Sequence, residues 1–192
     1  MTDDSTLILA SSSPYKRRLM RRLGIDFVSQ SADVDEERLP DESPHQMARR
    51  LAKTKARKVA AKNPEAWVIG GDQVAALDDR IFGKPGSRTG AIDQLKALQG
   101  RTHQLITAVA LAHPKDGIST ATSTYEMAMR RLTAGEIATY VDEDNPVDCA
   151  GAYKIEEAGI RLFEATRGDD PTAIEGLPLT KVWTLLLDAG WP

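Results

Sequence analysis

The sequence predicts an α/β fold: a mixed, twisted sheet with a long central hairpin, flanked by helices. Three observations carry that reading. Short apolar runs, Leu7-Ile8-Leu9-Ala10 and Trp67-Val68-Ile69, have the length of buried strands. Helix-start signals recur between such runs, at Ser13-Pro14, Ser43-Pro44 and Thr133-Ala134-Gly135-Glu136. Two long segments rich in Thr, Val and Ile, Thr102 to His113 and Gly117 to Arg130, read as the two arms of a hairpin.

The elements follow in order. Leu7 to Ala10 is a strand that ends in Ser11-Ser12-Ser13-Pro14. A serine caps free N–H groups and proline suits the first turn, so a helix runs from Pro14 to about Leu23, where Gly24 stops it. Ile25 to Val34 is a strand and an irregular loop. A second helix runs from Pro44 to about Asn63, with a sparse apolar face of Met47, Leu51, Val59 and alanines and a solvated basic face. Pro64 ends it. In the next segment Trp67 to Ile69 is a strand, Gly70-Gly71-Asp72-Gln73 breaks it, and Val74 to Leu77 resumes extended structure. Asp78-Asp79 is a hairpin turn with Ile81-Phe82 returning. Gly83 to Gly86 is a loop, and Ser87 to Leu98 is a helix closed by Gly100. After the hairpin, a capping box opens a helix from Thr133 to about Val141. Cys149 to Tyr153 and Ile160 to Thr166 read as strands, and the last helix spans about Leu177 to Ala189. No repeat, low-complexity tract or interdomain linker is visible, so residues 1–192 are expected to form one domain.

Composition narrows the functional classes. Of the 192 residues, 41% are hydrophobic and 28% charged, the balance of a soluble globular chain. A net charge of −3 gives no general attraction for nucleic acid polymers or anionic membranes. The single cysteine, Cys149, excludes an intrachain disulfide and reads as a small buried residue. The start, Met1 to Thr6, is polar and acidic and lacks a signal-peptide pattern, and no apolar run is long enough to cross a bilayer. The cytoplasm is the expected location. His45, His103 and His113 have no metal-ligand spacing, and Trp67, Trp183 and Trp191 read as packing residues.

Four features can carry chemistry. The junction at Ser11, Ser12 and Ser13 points free N–H groups and a helix dipole outward, as phosphate binding requires, with Lys16 and Arg17 one turn later. Asp72 follows an apolar strand and two glycines, where a carboxylate can hold a hard cation or take a proton from water. Lys84, pinned between Gly83 and Pro85, can meet a phosphate as a point charge. Asp33-Val34-Asp35-Glu36 is an acidic cluster of the kind that builds hard-cation sites. Each feature alone also has an ordinary structural explanation.

Their order along the chain is what specifies them. The series 7–14, Val34-Asp35-Glu36, Leu51-Ala52-Lys53-Thr54-Lys55-Ala56, Gly70-Gly71-Asp72-Gln73 and Gly83-Lys84-Pro85 resembles the Maf family. So do Gly100 to His103, Ala150 to Tyr153 and Gly176 to Leu179. The resemblance implies a fold like that of the inosine triphosphate pyrophosphatases, with a nucleotide cleft between two lobes. It implies hydrolysis of nucleoside triphosphates at the α–β bond, with a divalent cation (Mg²⁺, Mn²⁺ or Co²⁺), and a homodimer. It assigns Asp72 as proton acceptor, Glu36 and Asp72 to the metal, and Ser11, Ser13, Lys16, Arg17, Lys55 and Lys84 to the phosphates. The family carries arginine two positions after the Ser-Pro proline. Here Lys16 stands there, so either Arg17 takes over or the phosphate grip is looser.

Within the family, Tyr15, Gln73 and Glu156 match the branch that resembles the 7-methyl-GTP pyrophosphatases. An aromatic face at Tyr15 suits a cationic base, and Glu156 can accept from guanine N1–H and the 2-amino group. The competing expectations are the dTTP/UTP branch, a broader scavenger of noncanonical nucleotides, and a nucleotide-binding regulator of septum formation without turnover.

Overall fold

The computed structural model describes residues 6–114 and 117–191. Residues 1–5 of the polar start, and Lys115 and Asp116 between the hairpin arms, lie outside the described residues. The elements are β1 (Leu7–Leu9), α1 (Pro14–Arg21), β2 (Val28–Ser29), α2 (Pro44–Ala60), β3 (Trp67–Leu77), β4 (Arg80–Phe82), α3 (Arg88–Leu98), β5 (Thr102–His113), β6 (Gly117–Met129), α4 (Ala134–Asp144), β7 (Phe163–Arg167) and α5 (Leu179–Asp188). Strand order is β2-β1-β3-β5-β6-β7, with β4 also paired to β3. The β1 pairs with β2 and β3 are parallel, while β3–β4 and β6–β7 are antiparallel, which makes the sheet mixed as expected. The chain forms two compact units, Met1–Gln73 with Thr107–Ser123 and Asp170–Pro192, and Val74–Ile106 with Thr124–Asp169. Among the described residues no helix is long and apolar enough to cross a membrane.

The first unit is built on β1 and the helices that flank it. Leu7, Leu9, Trp67, Ile69, Val109 and Leu111 from the strands pack with Leu19 and Met20 of α1 and Val182 and Leu186 of α5. Ser13 caps α1 by accepting from the Lys16 N–H, and Ser43 caps α2 in a reciprocal box with Gln46. Such caps contribute about 1 kcal/mol each. Trp67 is buried and meets Trp191 edge to face at 5.4 Å. Trp183, by contrast, is 39% exposed, so it is not the packing residue expected from its type.

The expected break at Gly70-Gly71-Asp72-Gln73 is absent. β3 runs through it as one strand of 11 residues. The glycines are there for close approach. A methyl carbon at Gly70 would lie 2.2 Å from the Ala52 carbonyl oxygen and 2.7 Å from the Ala56 nitrogen. Removing that carbon lets α2 lie directly against β3, with Ala48, Ala52 and Ala56 fully buried in the contact. Asp72 therefore sits in the middle of a strand, not at its end.

In the second unit, α3 packs on α4 and on a 3₁₀ turn at Ala150–Ala152. That turn replaces the strand expected at Cys149 to Tyr153. Gly151 and Ala152 both take left-handed backbone, φ 76° and 61°, which no strand accommodates. The reversal drops Tyr153 into the interior, where its hydroxyl meets His103 Nε2 at 2.9 Å and its ring packs edge to face on Phe163 at 4.9 Å. The expected strand at Ile160 to Thr166 is likewise a 3₁₀ turn, Ala158–Leu162, followed by β7. α4 runs three residues past its expected end, to Asp144, where Asn145 closes it in left-handed conformation. Cys149 is half-buried, and burial pushes its thiol up to about 12, so it stays protonated near neutrality.

Two outcomes follow. Gly70→Ala forces backbone against backbone and is expected to destabilise the protein by about 3 kcal/mol in urea unfolding. Gly83→Ala, at a position with nothing within 4 Å, is expected to unfold like the parent. The close-packing account fails if the two variants unfold alike. The second outcome concerns His103. Burial lowers its imidazole from 6.5 to about 4. Below pH 6.5 the unfolded chain takes up a proton that the folded chain refuses. Stability is therefore fully present above that pH and drains away as pH falls toward about 4, by up to about 1.4 kcal/mol per unit. His103→Gln is expected to lose about 1–2 kcal/mol less than the parent between neutral and mildly acid pH. Equal losses would exclude His103 as the titrating group.

Candidate functional site

The first unit gathers charge around Asp72. β3 carries Asp72 toward α2, where Leu51, Ala52, Ala56 and Val59 form the buried stripe. Lys55 lies three residues after Ala52 and four after Leu51, at the edge of that stripe, so its side chain reaches the strand. Its ammonium donates to Asp72 Oδ1 at 2.5 Å and meets Glu36 Oε1 at 2.6 Å. The side chains of Asp72 and Lys55 are 10% and 15% exposed, while Glu36 is 49% exposed. One cation thus holds a buried and an open carboxylate.

The loop that delivers Glu36 is tied to α2. Glu42 is buried and accepts from Arg50 at both carboxylate oxygens, at 2.6 and 2.8 Å. Arg50 also donates to the Glu37 carbonyl at 2.9 Å, and Lys58 donates to the Asp33 carbonyl. Of the acidic cluster, only Glu36 is paired to Lys55. Asp35 Oδ1 instead accepts from the Glu37 N–H at 2.9 Å, an ordinary turn contact.

Burial pushes the Asp72 carboxyl above the usual range, Lys55 and Lys16 draw it back without cancelling the effect, and Glu36 adds to the rise. For Lys55, burial works against the charge, but Asp72 and Glu36 outweigh it and hold the ammonium above its usual range. The result is a lysine-bound carboxyl group that is a better proton acceptor than an exposed aspartate.

Lys16 takes part in this field and Arg17 does not. The Lys16 stem runs past Gly71, its Cε 3.5 Å from where a methyl would stand. Its Nζ lies 3.7 Å from the corresponding point at Gly176. Arg17 is exposed. Ser13 Oγ accepts from the Lys16 N–H at 3.4 Å and Ser11 Oγ from the Ser13 N–H at 3.1 Å, which shapes the junction expected at the phosphates. Tyr15 is half-buried on the first turn of α1.

Gln73 reveals partners that sequence reading passed over. Its Nε2 donates to the carbonyls of Ala173 at 2.8 Å and Ile174 at 3.2 Å, and to Thr107 Oγ1 at 3.0 Å. Thr107, fully buried, donates in turn to Ala173 at 2.9 Å. The segment that supplies these carbonyls hangs on Asp170, which is fully buried and hydrogen-bonded to Thr172 and Thr180. The signal available in the sequence was Asp170-Pro171-Thr172, an aspartate placed to cap its own turn ahead of Gly176-Leu177-Pro178. Lys84 and Glu156 belong to the second unit. Lys84 is exposed in its loop, and Glu156 is half-buried beyond the 3₁₀ turn, close enough to Cys149 to raise its thiol.

No group of three or more His, Cys, Asp or Glu side chains able to hold a metal occurs among the described residues. Glu36 and Asp72 nevertheless form a fitting donor pair. Magnesium-type ions bind through one or two carboxylates and complete their shell with water and substrate phosphate oxygens. Two carboxylates already gathered on one cation satisfy that requirement.

Known proteins resemble this chain over nearly its whole length. A 7-methyl-GTP pyrophosphatase of Xanthomonas axonopodis pv. citri is 48% identical over 185 residues, 96% of this chain and 97% of that protein. A 7-methyl-GTP pyrophosphatase of Nitrosococcus oceani is 44% identical over 188 residues, 97% of this chain and 94% of that protein. Among solved structures, a HAM1 protein from Coxiella burnetii superposes with a TM-score of 0.52 at 17% identity, over 96% of this chain and 99% of its own, a likeness of fold. The Maf-like protein family matches residues 6–189, nearly the whole chain, and the protein belongs to that family.

Proposed function

We propose that the protein hydrolyses 7-methyl-GTP to 7-methyl-GMP and diphosphate. One observation carries the reading: a buried carboxylate, Asp72, in the middle of a strand, held by a lysine that it shares with Glu36. The names of relatives at 44–48% identity support the substrate. Residues 1–192 are read as one catalytic domain, since three of the four unit boundaries fall inside strands, in β3, β5 and β6. The protein works in the cytoplasm, on nucleoside triphosphates.

Asp72 takes a proton from a water molecule whose oxygen attacks the α-phosphorus. The new P–O bond forms as the bond from the α-phosphorus to the bridging oxygen breaks, and diphosphate leaves. Lys16 and Lys55 offset the charge of the phosphates, and Ser11 and Ser13 shape the helix N-terminus that receives them. A divalent cation held by Glu36 and Asp72 supplies further positive charge against the triphosphate when bound. Tyr15 offers a π face to the cationic base, which prefers such a face to water. Glu156 and Lys84 carry the matching chemistry, an acceptor for guanine donors and a cation for phosphate.

Asp72→Asn keeps the shape of the side chain and removes its proton affinity. It is expected to lower kcat by about 100-fold or more with Mn²⁺ present, while the fold is retained. Activity within a few fold of the parent would remove Asp72 from the role of base. On a nucleotide panel with product identification, 7-methyl-GTP is expected to give a clearly higher kcat/KM than dTTP or UTP. Tyr15→Arg sets a positive charge against a positive base and is expected to cut that preference by about tenfold or more. A parent enzyme that prefers dTTP would place it in the other branch and leave the hydrolytic chemistry standing.

A further inference from the structure

Gln73 is held in one orientation by a segment that is itself hung on a single carboxylate. Its Nε2 faces three oxygens: the carbonyls of Ala173 and Ile174 and the hydroxyl of Thr107. Thr107 spends its own hydrogen on Ala173, so it presents a lone pair to Gln73. All three neighbours accept in this arrangement, and a flipped carboxamide would set its oxygen against the carbonyls of Ala173 and Ile174 and lose both of those bonds. Its Oε1 is thereby fixed on the side of Gly176, 3.9 Å from where a methyl there would stand.

The carbonyls that set this orientation belong to residues 173 and 174, between two anchors. Asp170 Oδ1 accepts from the Thr172 N–H at 3.0 Å and hydroxyl at 2.6 Å. Asp170 Oδ2 accepts from the Thr180 N–H at 2.9 Å and hydroxyl at 2.6 Å. The Thr172 hydroxyl oxygen accepts from the Leu179 N–H at 2.8 Å, which closes the segment on itself. α5 has no side-chain cap of its own at Pro178, and Asp170 serves its first turn. Burial raises the Asp170 carboxyl, but the Thr172 and Thr180 donors outweigh it and hold the group below the usual carboxylate range. An anion with four donors and no exposure is far more than a turn needs.

We propose that Asp170 is a positioning residue for substrate selection: by clamping residues 172–180 it sets the carbonyls that orient Gln73, and through Gln73 it governs the choice between nucleotide bases. The proposal rests on the pyrophosphatase reading and deepens it.

The test reads selectivity, not activity alone. The ratio of kcat/KM for 7-methyl-GTP to that for dTTP is measured for the parent, Gln73→Ala, Asp170→Asn and the double variant. Asp170→Asn is expected to shift the ratio by about tenfold, in the same direction as Gln73→Ala, with the double variant no further shifted than Gln73→Ala. Thr180→Val, at an exposed position, removes one bond of the clamp should Asp170→Asn not fold. It is expected to shift the ratio part way, and Thr180→Ser to restore it. A parallel fall in kcat on both nucleotides with the ratio unmoved, or shifts that simply add in the double variant, overturns the proposal. The side-chain amide signals of Gln73 in a ¹⁵N spectrum decide the mechanical half separately. They are expected to lose their protection from exchange in Asp170→Asn or Thr180→Val, and unchanged signals overturn the proposal. A parent enzyme with no preference for 7-methyl-GTP would sink the substrate reading, while the amide signals still judge the clamp.

Discussion

The ammonium of Lys55, shared between Asp72 and Glu36, is the interaction on which the rest of the first unit depends. It is not there for stability. Taking a carboxylate and an ammonium out of water costs several kcal/mol per ion, and the attraction between them repays this only with good geometry. The contact to Glu36, half in solvent, is worth about 0–1 kcal/mol. A chain selected for stability alone would do as well with apolar residues at both buried places. What the pair does is hold a weakly acidic carboxylate in a fixed position beside a half-exposed one. That is what the proposed chemistry requires, and the fold bears its cost.

Much of the local sequence follows from meeting it. Lys55 reaches Asp72 because α2 lies unusually close to β3. That closeness needs small residues on both sides, Ala52 and Ala56 on the helix and Gly70 on the strand. The capping box at Ser43 fixes where α2 begins, and therefore which residues face the strand. The Arg50–Glu42 pair then pins the preceding loop to the same helix, so Glu36 and Lys55 are delivered by one rigid element and its attached loop. The four charged groups Lys16, Glu36, Lys55 and Asp72 are formally balanced. Under the proposed function, a triphosphate arriving among them would tip the balance negative beyond what Lys16 and Lys55 offset alone. A divalent cation on the two carboxylates would restore it.

The parts of this that were legible in the sequence are those set by local rules. Pro14, Ser13, Ser43 and Thr133 marked helix starts correctly because caps depend on neighbours within one turn. The two arms of the hairpin were visible because Thr, Val and Ile recur along both segments with no proline to interrupt them before Pro114. The errors came where one residue type serves two purposes. Gly70 and Gly71 looked like a chain break, since glycine usually marks flexibility, yet their purpose is tertiary: they admit α2 and the side chain of Leu177. Cys149 to Tyr153 looked like a strand because the left-handed conformation of Ala152 is one that its residue type does not advertise. The ordered set of motifs named Asp72, Lys55 and Glu36 without showing that one ammonium joins them. Asp170 was missed because its work lies in four hydrogen bonds to donors nearby in the chain, two of them backbone N–H groups that every residue carries.

Lysine at position 16, where the family resemblance leads one to expect arginine, makes physical sense against this background. A lysine stem is slim enough to run past Gly71 and end beside Gly176, where it adds a compact charge to the field at Asp72. A guanidinium offers a planar fork for phosphate but needs room on both sides and more partners for its donors. The loop beside Lys16 is the one whose carbonyls orient Gln73. The Lys16 ammonium and the Gln73 amide are thus set against the same short segment, residues 173–176. Under the proposed function, that shared segment links phosphate grip to base selection.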